Sequence, residues 1–373
     1  MREPITHNQV TRDHSRAPDD GFQVLHEFIG PAKARLRPET WTYLMGAAET
    51  ETTHLRNRLA LDQIAFRPRI LRNVETVDTS TTLFGHTLKL PVILAPIGSM
   101  QDLVDDGGIA PTRAAARFGA YHMLSSVSAP GLEAVARSVD YPKIFQLYVR
   151  GDSAWVDEQV QAAIDHGYVA VCLTVDLDHY GRRERDLANR TKPTARQAAT
   201  SDHFQARFTW DDVWRIRNKF DVPLILKGLA TPEDARIAVE YGINAIYISN
   251  HGGRQLDHGR GSMEVLSEIS AEVGGRAQII IDGGFMRGTD IVKAIALGAH
   301  AVGLGRLQGL AAAAAGEDGI VRMLDILHDE VTRTLGLLGI NAFSKLSPSY
   351  VTRSQSLGRY GLDAAFPLLR EGY

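Results

Sequence analysis

From residue 91 onward the chain alternates short, almost wholly apolar runs with longer segments in which apolar residues recur every three or four positions. The runs are VILAPI from Val92, YHMLSS from Tyr121, KIFQLY from Lys143, VAVCLTV from Val169, PLILKG from Pro223, NAIYISN from Asn244, QIIIDGG from Gln278 and HAVGLGR from His300. Their length and β-branched content predict strands, and their lack of polar alternation predicts parallel strands covered on both faces. Segments between them, such as DSAWVDEQVQAAIDHG, EDARIAVEYG and GTDIVKAIALG, carry helical periodicity, and most end in the glycine expected just past a helix. An open doubly wound sheet shares this rhythm, but eight consecutive units favour closure. The fold class read from the pattern is α/β, a (β/α)8 TIM barrel with its core over residues 91–308.

The flanks and one spacing depart from the rhythm. GFQVLHEFIGPAKARLRPETWTYLMGAAET predicts an N-terminal helical extension, and residues 1–90 as a whole are expected to pack on the bottom or side of the barrel rather than fold apart. Residues 309–373 are expected to add C-terminal helices and a tail, so that residues 1–373 form a single domain. The starts at Val169 and Pro223 lie 54 residues apart, about twice the interval of several other units, which places an inserted loop after strand 4. The insertion, about residues 184–209, is polar and leaves the face where barrel enzymes carry their chemistry, so it is expected to form an active-site lid.

Composition narrows the partners. Against 44 acidic residues stand 41 basic ones, a formal charge of -3, which lacks the basic excess of a nucleic-acid binder. A lone cysteine, Cys172, can form neither an intrachain disulfide nor a thiolate cluster. The charged N-terminus lacks the apolar block of a secretory leader, and no run approaches the roughly 20 apolar residues of a transmembrane helix, so a cytoplasmic location is expected.

Candidate chemistry gathers at the strand ends. Lys227 closes an apolar strand, where an ammonium persists if paired or if its charge is used. ISNHGGRQLDHG follows strand 6 and offers Ser249, Asn250, His251 and Arg254, an imidazole for proton exchange and a guanidinium for a carboxylate. After strand 4, TVDLDHYGRRERD offers Asp176 to orient an imidazole, together with Arg182 and Arg183, between which spacing does not choose. IDGGFMRG and GLGR after strands 7 and 8 supply Asp282, Gly283, Gly284, Gly305 and Arg306 as a phosphate site of the barrel type. Neither a dinucleotide fingerprint nor a P-loop is present, and the 13 histidines show no HExxH spacing, so no metal is assigned; His179 and His258 read as polar loop residues, and a metal-dependent barrel hydrolase is the runner-up.

The set QLYV, LTVD…GRRERD, LKG, SNHGGRQLD, DGGFMRGTDIVKAIALGA and GLGR resembles the FMN-dependent L-2-hydroxy-acid oxidising family, which includes glycolate and lactate oxidases, lactate monooxygenase, mandelate dehydrogenase and the flavin domain of flavocytochrome b2. The resemblance covers about residues 35–340. It implies a homotetramer that binds FMN at the strand C-termini, with His251 as base, Asp176 supporting its charged form, and Lys227 beside the flavin N1 and O2. Arg183 and Arg254 are implied to clamp the substrate carboxylate and Tyr148 to contact a substrate oxygen. Gly98, Ser125, Gln146, Thr174 and Ser249 match positions around the flavin ring and ribityl chain; Asp282, Gly283, Gly284, Gly305 and Arg306 match the ribityl and phosphate region. The electrons are implied to pass to oxygen, a quinone or another protein.

Departures from the family bear on substrate and cofactor. TYLMGA stands where the family has YYASGA, putting Thr42 at a substrate-binding tyrosine position with Tyr43 beside it, which leads to the expectation of an altered aromatic wall and a weaker carboxylate subsite. Val127 replaces the tryptophan of glycolate oxidase and opens room, so the expected substrate is an L-2-hydroxy acid larger than glycolate, aromatic or medium-chain. Gly98 stands where alanine is common and where lactate monooxygenase and mandelate dehydrogenase have glycine, which weakens an automatic reading as a simple oxidase but leaves it open, because more than that position controls oxygen access. VDDGG replaces HPEGE, and Asp178 with His179 brings new polarity to the mouth. The family's DGGxRRG is DGGFMRG here: Met286 removes one phosphate-facing cation, while Arg287 is expected to remain as a cofactor ligand. Alternatives are oxidation of a 2-amino or modified acid, oxidative decarboxylation, and a non-catalytic flavin-binding role.

Overall fold

Eight parallel strands close into a barrel in the computed structural model of the chain, which describes residues 21–194 and 203–371. The barrel strands are β1 (Val92–Leu94), β2 (Tyr121–Ser125), β3 (Ile144–Leu147), β4 (Ala170–Thr174), β5 (Leu224–Leu229), β6 (Ala245–Ile248), β7 (Gln278–Ile281) and β8 (Ala301–Leu304). Each pairs in parallel with its neighbours in sequence, and β8 pairs with β1 to close the ring. Seven lie within the apolar runs and β5 runs one residue beyond its own, to Leu229; almost every residue in them is buried, because helices cover the outer face while interior side chains fill the lumen.

Local chemistry sets the connecting helices. Asp152 caps the helix Ser153–Asp165 by accepting from Trp155 N at 3.0 Å, and Thr231 precedes Pro232 at the first position of helix Pro232–Glu240. Helix Ile109–Phe118 ends at Gly119, whose φ of 93° lets the chain turn back to the barrel.

The N-terminal extension reaches both ends of the barrel. An antiparallel hairpin, Thr81–Leu83 with His86–Leu88, seals the lower end: Leu83 and Leu88 join Ile93, Tyr121, Cys172, Ile225 and Tyr247 in the interior cluster. Helices α1 (Ile29–Arg35), α2 (Pro38–Met45) and α3 (Thr52–Asp62) precede it, and α2 and α3 run to the opposite end, where the strand C-termini open. Ile64–Phe66 pairs with Val351–Arg353, tying the extension to the C-terminal segment.

The insertion after β4 is described at both its ends. Helix α4 (Glu184–Ala188) leads into it, Thr194 Oγ1 donates to the Asp102 carboxylate, and α5 (Phe204–Arg207) leads out. The centre of the expected lid, residues 195–202, lies outside the described residues, as does the charged N-terminus, residues 1–20. Beyond β8, α6 (Arg306–Leu337) is interrupted at Ala315 and Gly316 and continues as the predicted terminal helix. Among the described residues, no helix is long and apolar enough to cross a membrane.

Candidate active site

The strand C-termini open into a cavity of about 580 Å³. Its base is built on His251, three residues past the end of β6, whose backbone is held at a φ of 58°. That left-handed conformation is costly for a non-glycine residue. It is secured by Ser249 Oγ accepting from His251 N at 3.0 Å, and by Asn250, whose side-chain oxygen accepts from Gly253 N at 3.0 Å. The ring is thereby fixed between two groups: Nδ1 stands 3.0 Å from Asp176 Oδ1, and Nε2 stands 3.2 Å from Tyr148 Oη. With Nδ1–H donating to the carboxylate, Nε2 keeps its lone pair on the cavity side.

Asp176 reaches that position because β5 breaks register at Gly228. Gly228 has a φ of 116°, and a Cβ there would overlap the Asp176 side chain, so only glycine allows the approach. Burial works against the ionised carboxyl, but His251 and then Lys227 outweigh it and hold Asp176 below its ordinary range. For His251 burial dominates: it lowers the imidazole pKa, and Asp176 offsets this in part, so the ring is a neutral base at physiological pH. Burial raises the Tyr148 pKa, keeping its hydroxyl protonated.

Lys227 forms a second polar unit. Its Nζ donates to Ser249 Oγ at 2.9 Å, Ser249 Oγ donates to Asp282 Oδ1 at 2.6 Å, and Asp282 Oδ2 lies 3.7 Å from Nζ. Burial opposes the ammonium, but Asp282 and Asp176 outweigh it, so Lys227 is charged. The ammonium also lies over the Tyr247 ring.

Two guanidinium groups face the base. Arg254 donates to the carbonyls of Tyr43 and Gly46 and stacks over the Tyr43 ring; Arg183 stacks over Tyr180. Here the structure separates what spacing left open: Arg183 is 6% exposed and lines the cavity, while Arg182 turns out to pair with Glu184. Burial and then the charge of Arg254 press the Arg183 pKa down to about 10, a repulsion that an entering carboxylate relieves.

The remaining expected residues divide into three groups. Tyr43, Gly98, Val127, Gly283, Gly284, Gly305 and Arg306 line the cavity with those above. Ser125, Gln146, Thr174 and Ser249 are buried at strand ends behind that wall, where Gln146 Nε2 donates to Thr174 Oγ1 at 2.9 Å. Thr42 and Arg287 point elsewhere than expected. Thr42 turns away from the cavity, donating to Glu39 O and accepting from Asn189, while Tyr43, about 100° further round the helix, faces inward and donates to Gly98 O at 2.9 Å. The aromatic wall is therefore present and braces Arg254, contrary to the expected weakening. Arg287 points out of the cavity to Glu330 and Ala365 O, because its neighbour Met286 takes the inward position.

Other cavity residues were not singled out from the sequence. Tyr180, Arg150 and Leu177 contribute to the walls, and the end of the insertion after β4 brings His203 and Gln205, whose side chain bonds Val149 N and Thr174 O. His54, from α3, also lines the cavity. Its signal lay in the helical spacing His54, Asn57, Arg58, Leu61, one polar-rich face turned to the barrel.

Comparison with known proteins bears on this arrangement. The family model for FMN-dependent dehydrogenase matches residues 32–353. The chain belongs to that family. It is 35% identical to glycolate oxidase 3 of Arabidopsis thaliana over 87% of this chain and 94% of that one. It is 36% identical to the L-lactate oxidase of a Nostoc species, over 88% and 97%. Among solved structures, a mandelate oxidase with benzoyl-formic acid superposes with a TM-score of 0.84 at 36% identity, covering 90% of this chain and 100% of that one.

The family's cofactor, FMN, fits what the cavity presents. Gln146 Oε1 and Arg306 Nε are buried without protein partners, as polar atoms awaiting a ligand would be. Gly283, Gly284 and Gly305 leave backbone accessible beside Arg306, and Lys227 offers a fixed positive charge.

Proposed function

We propose that this protein oxidises an L-2-hydroxy acid larger than glycolate to the corresponding 2-oxo acid. The observation that carries the reading is His251 Nε2, unprotonated and 3.2 Å from Tyr148 Oη, facing a cavity that also holds two guanidinium groups. Arg183 and Arg254 bind the substrate carboxylate, which presents the hydroxyl to His251 and Tyr148. His251 takes the proton; Asp176, already hydrogen-bonded to Nδ1, stabilises the imidazolium that results. Tyr148 remains protonated and steadies the substrate oxygen.

FMN held there would supply the acceptor for the two electrons and the C2 hydrogen that leave the substrate besides the proton taken by His251, and would pass the electrons on to a further acceptor. Lys227, Ser249, Gln146 and Thr174 are the residues to hold its ring, with the Asp282–Gly284 and Gly305–Arg306 segments for its chain and phosphate. The relatives named above are oxidases, which supports molecular oxygen as the acceptor and hydrogen peroxide as the second product.

Substrate size rests on Val127, a small side chain in the wall, and on a mouth lined by Asp178, His179 and His203. The likeness to a mandelate oxidase supports an aromatic substituent there. Anaerobic mixing with a panel of L- and D-2-hydroxy acids tests the reading: larger L-acids should bleach the flavin fastest. Bleaching by glycolate alone, or by none of the acids, would contradict it.

A further inference from the structure

The loops after β7 and β8 are where a barrel of this kind holds a phosphate, through backbone N–H groups and a nearby cation. These loops turn Gly283, Gly284, Met286, Gly305 and Arg306 to the cavity. Met286 brings no charge, and Arg287 is engaged with Glu330 outside, so Arg306 is the one cation they contribute there among the described residues.

A third element reaches the same end. Helix α3 lays Asn57 against Gly283 and Gly284, so closely that a Cβ on either glycine would meet it at 3.0 or 2.9 Å. One turn earlier, His54 packs against Gly253, while Gly252 abuts the Arg306 guanidinium. His54 lines the cavity here, and its Nδ1 is buried without a hydrogen-bond partner.

We propose that His54 is the second anchor of the FMN phosphate, acting with Arg306 on the side that Met286 leaves uncharged. The proposal rests on the FMN reading above. The charged groups around the ring are Arg306 from the β8 loop, Arg185 from α4 and Arg254 from the β6 loop. The nearby acids are occupied, Glu51 by Arg185 and Ala47 N, Asp257 by Thr50 and Thr53 N. Arg306 first, then burial, then Arg185 and Arg254 lower the His54 pKa to about 2, so the free ring is neutral. A phosphate dianion opposes that field and favours the charged ring, so the proposal has the imidazole take up a proton as the phosphate enters. Binding coupled to proton uptake weakens as pH rises toward the pKa of the complexed ring.

The test titrates FMN and riboflavin, which lacks the phosphate, into flavin-stripped full-length protein and its His54→Leu and His54→Gln variants, reading the quenching of flavin fluorescence. Both variants should lose about tenfold or more in FMN affinity near pH 6.5, the loss of a charge-assisted hydrogen bond, while riboflavin affinity stays within about twofold. The ratio of wild-type to His54→Gln affinity should shrink toward pH 9; ionisation of FMN itself is common to both proteins and cancels. Equal losses for FMN and riboflavin, or no loss for FMN, would overturn the anchor role. A wild-type protein that binds riboflavin and FMN equally well would also overturn it, whereas one that binds neither would remove the FMN reading beneath it.

Discussion

His251 Nδ1 and Asp176 Oδ1 stand 3.0 Å apart across the gap that Gly228 leaves between β4 and β6. This hydrogen bond sets which imidazole nitrogen carries the proton, and so which one faces substrate. Asp176→Asn should keep the fold and FMN but slow flavin reduction by roughly a hundredfold or more, because an amide can donate to Nδ1 and reverse the tautomer. Stopped-flow absorbance reads the rate directly.

The same pair fixes the pH profile. His251 must be neutral to accept a proton, so kcat/KM should be flat through neutral pH and fall on the acid side as the ring protonates, at a pH below the ordinary histidine value because burial lowers it. Asp176 raises the His251 pKa, so Asp176→Asn should move the acid limb lower still. A limb that moves to higher pH would contradict the electrostatic assignment.

Val127→Trp should narrow the wall beside the substrate. An aromatic 2-hydroxy acid should lose about tenfold or more in kcat/KM, as expected for steric exclusion from a pocket, while glycolate should lose little. Steady-state kinetics on both substrates checks this; equal losses would place Val127 away from the substrate side chain.

Arg287 and Arg58 separate cofactor binding from stability. Arg287→Ala breaks a half-buried pair with Glu330 and should cost about 1 kcal/mol of stability with FMN affinity unchanged. Asp290 is buried and bonded to Arg58 through both oxygens, and it also accepts from the Met286 and Arg287 N–H groups. Burial opposes its ionised form, but Arg58 prevails and holds the carboxyl below its ordinary range. Its stabilisation is therefore complete above the unfolded carboxylate pKa and lost as pH falls through the lower folded value. Asp290→Asn should cost about 3 to 5 kcal/mol at neutral pH and flatten the acid side of the stability curve. Thermal melts across acid and neutral pH read both effects.

What the sequence disclosed follows from periodicity and its limits. All eight strands were legible because a strand buried on both faces has no polar positions to blur its ends, and His251, Arg254 and Lys227 stood at those ends among glycines. Thr42 and Tyr43 were not separable, since α2 is short and ends in the site, and one residue of helical phase decides which faces inward. Arg287 reads as a cofactor ligand from its motif alone, because the partner that claims it, Glu330, lies 43 residues away and outside any local spacing. His54 sits in a polar stretch whose inward face is itself polar, so hydrophobic periodicity gave no sign of it.

His251→Ala is the decisive test of the proposed role of His251 as the base for flavin reduction. Mixed anaerobically with its substrate, the variant should retain FMN, with its visible spectrum, yet reduce it roughly 10² to 10⁴ times more slowly than the wild type. Reduction at the wild-type rate with FMN bound would contradict the account.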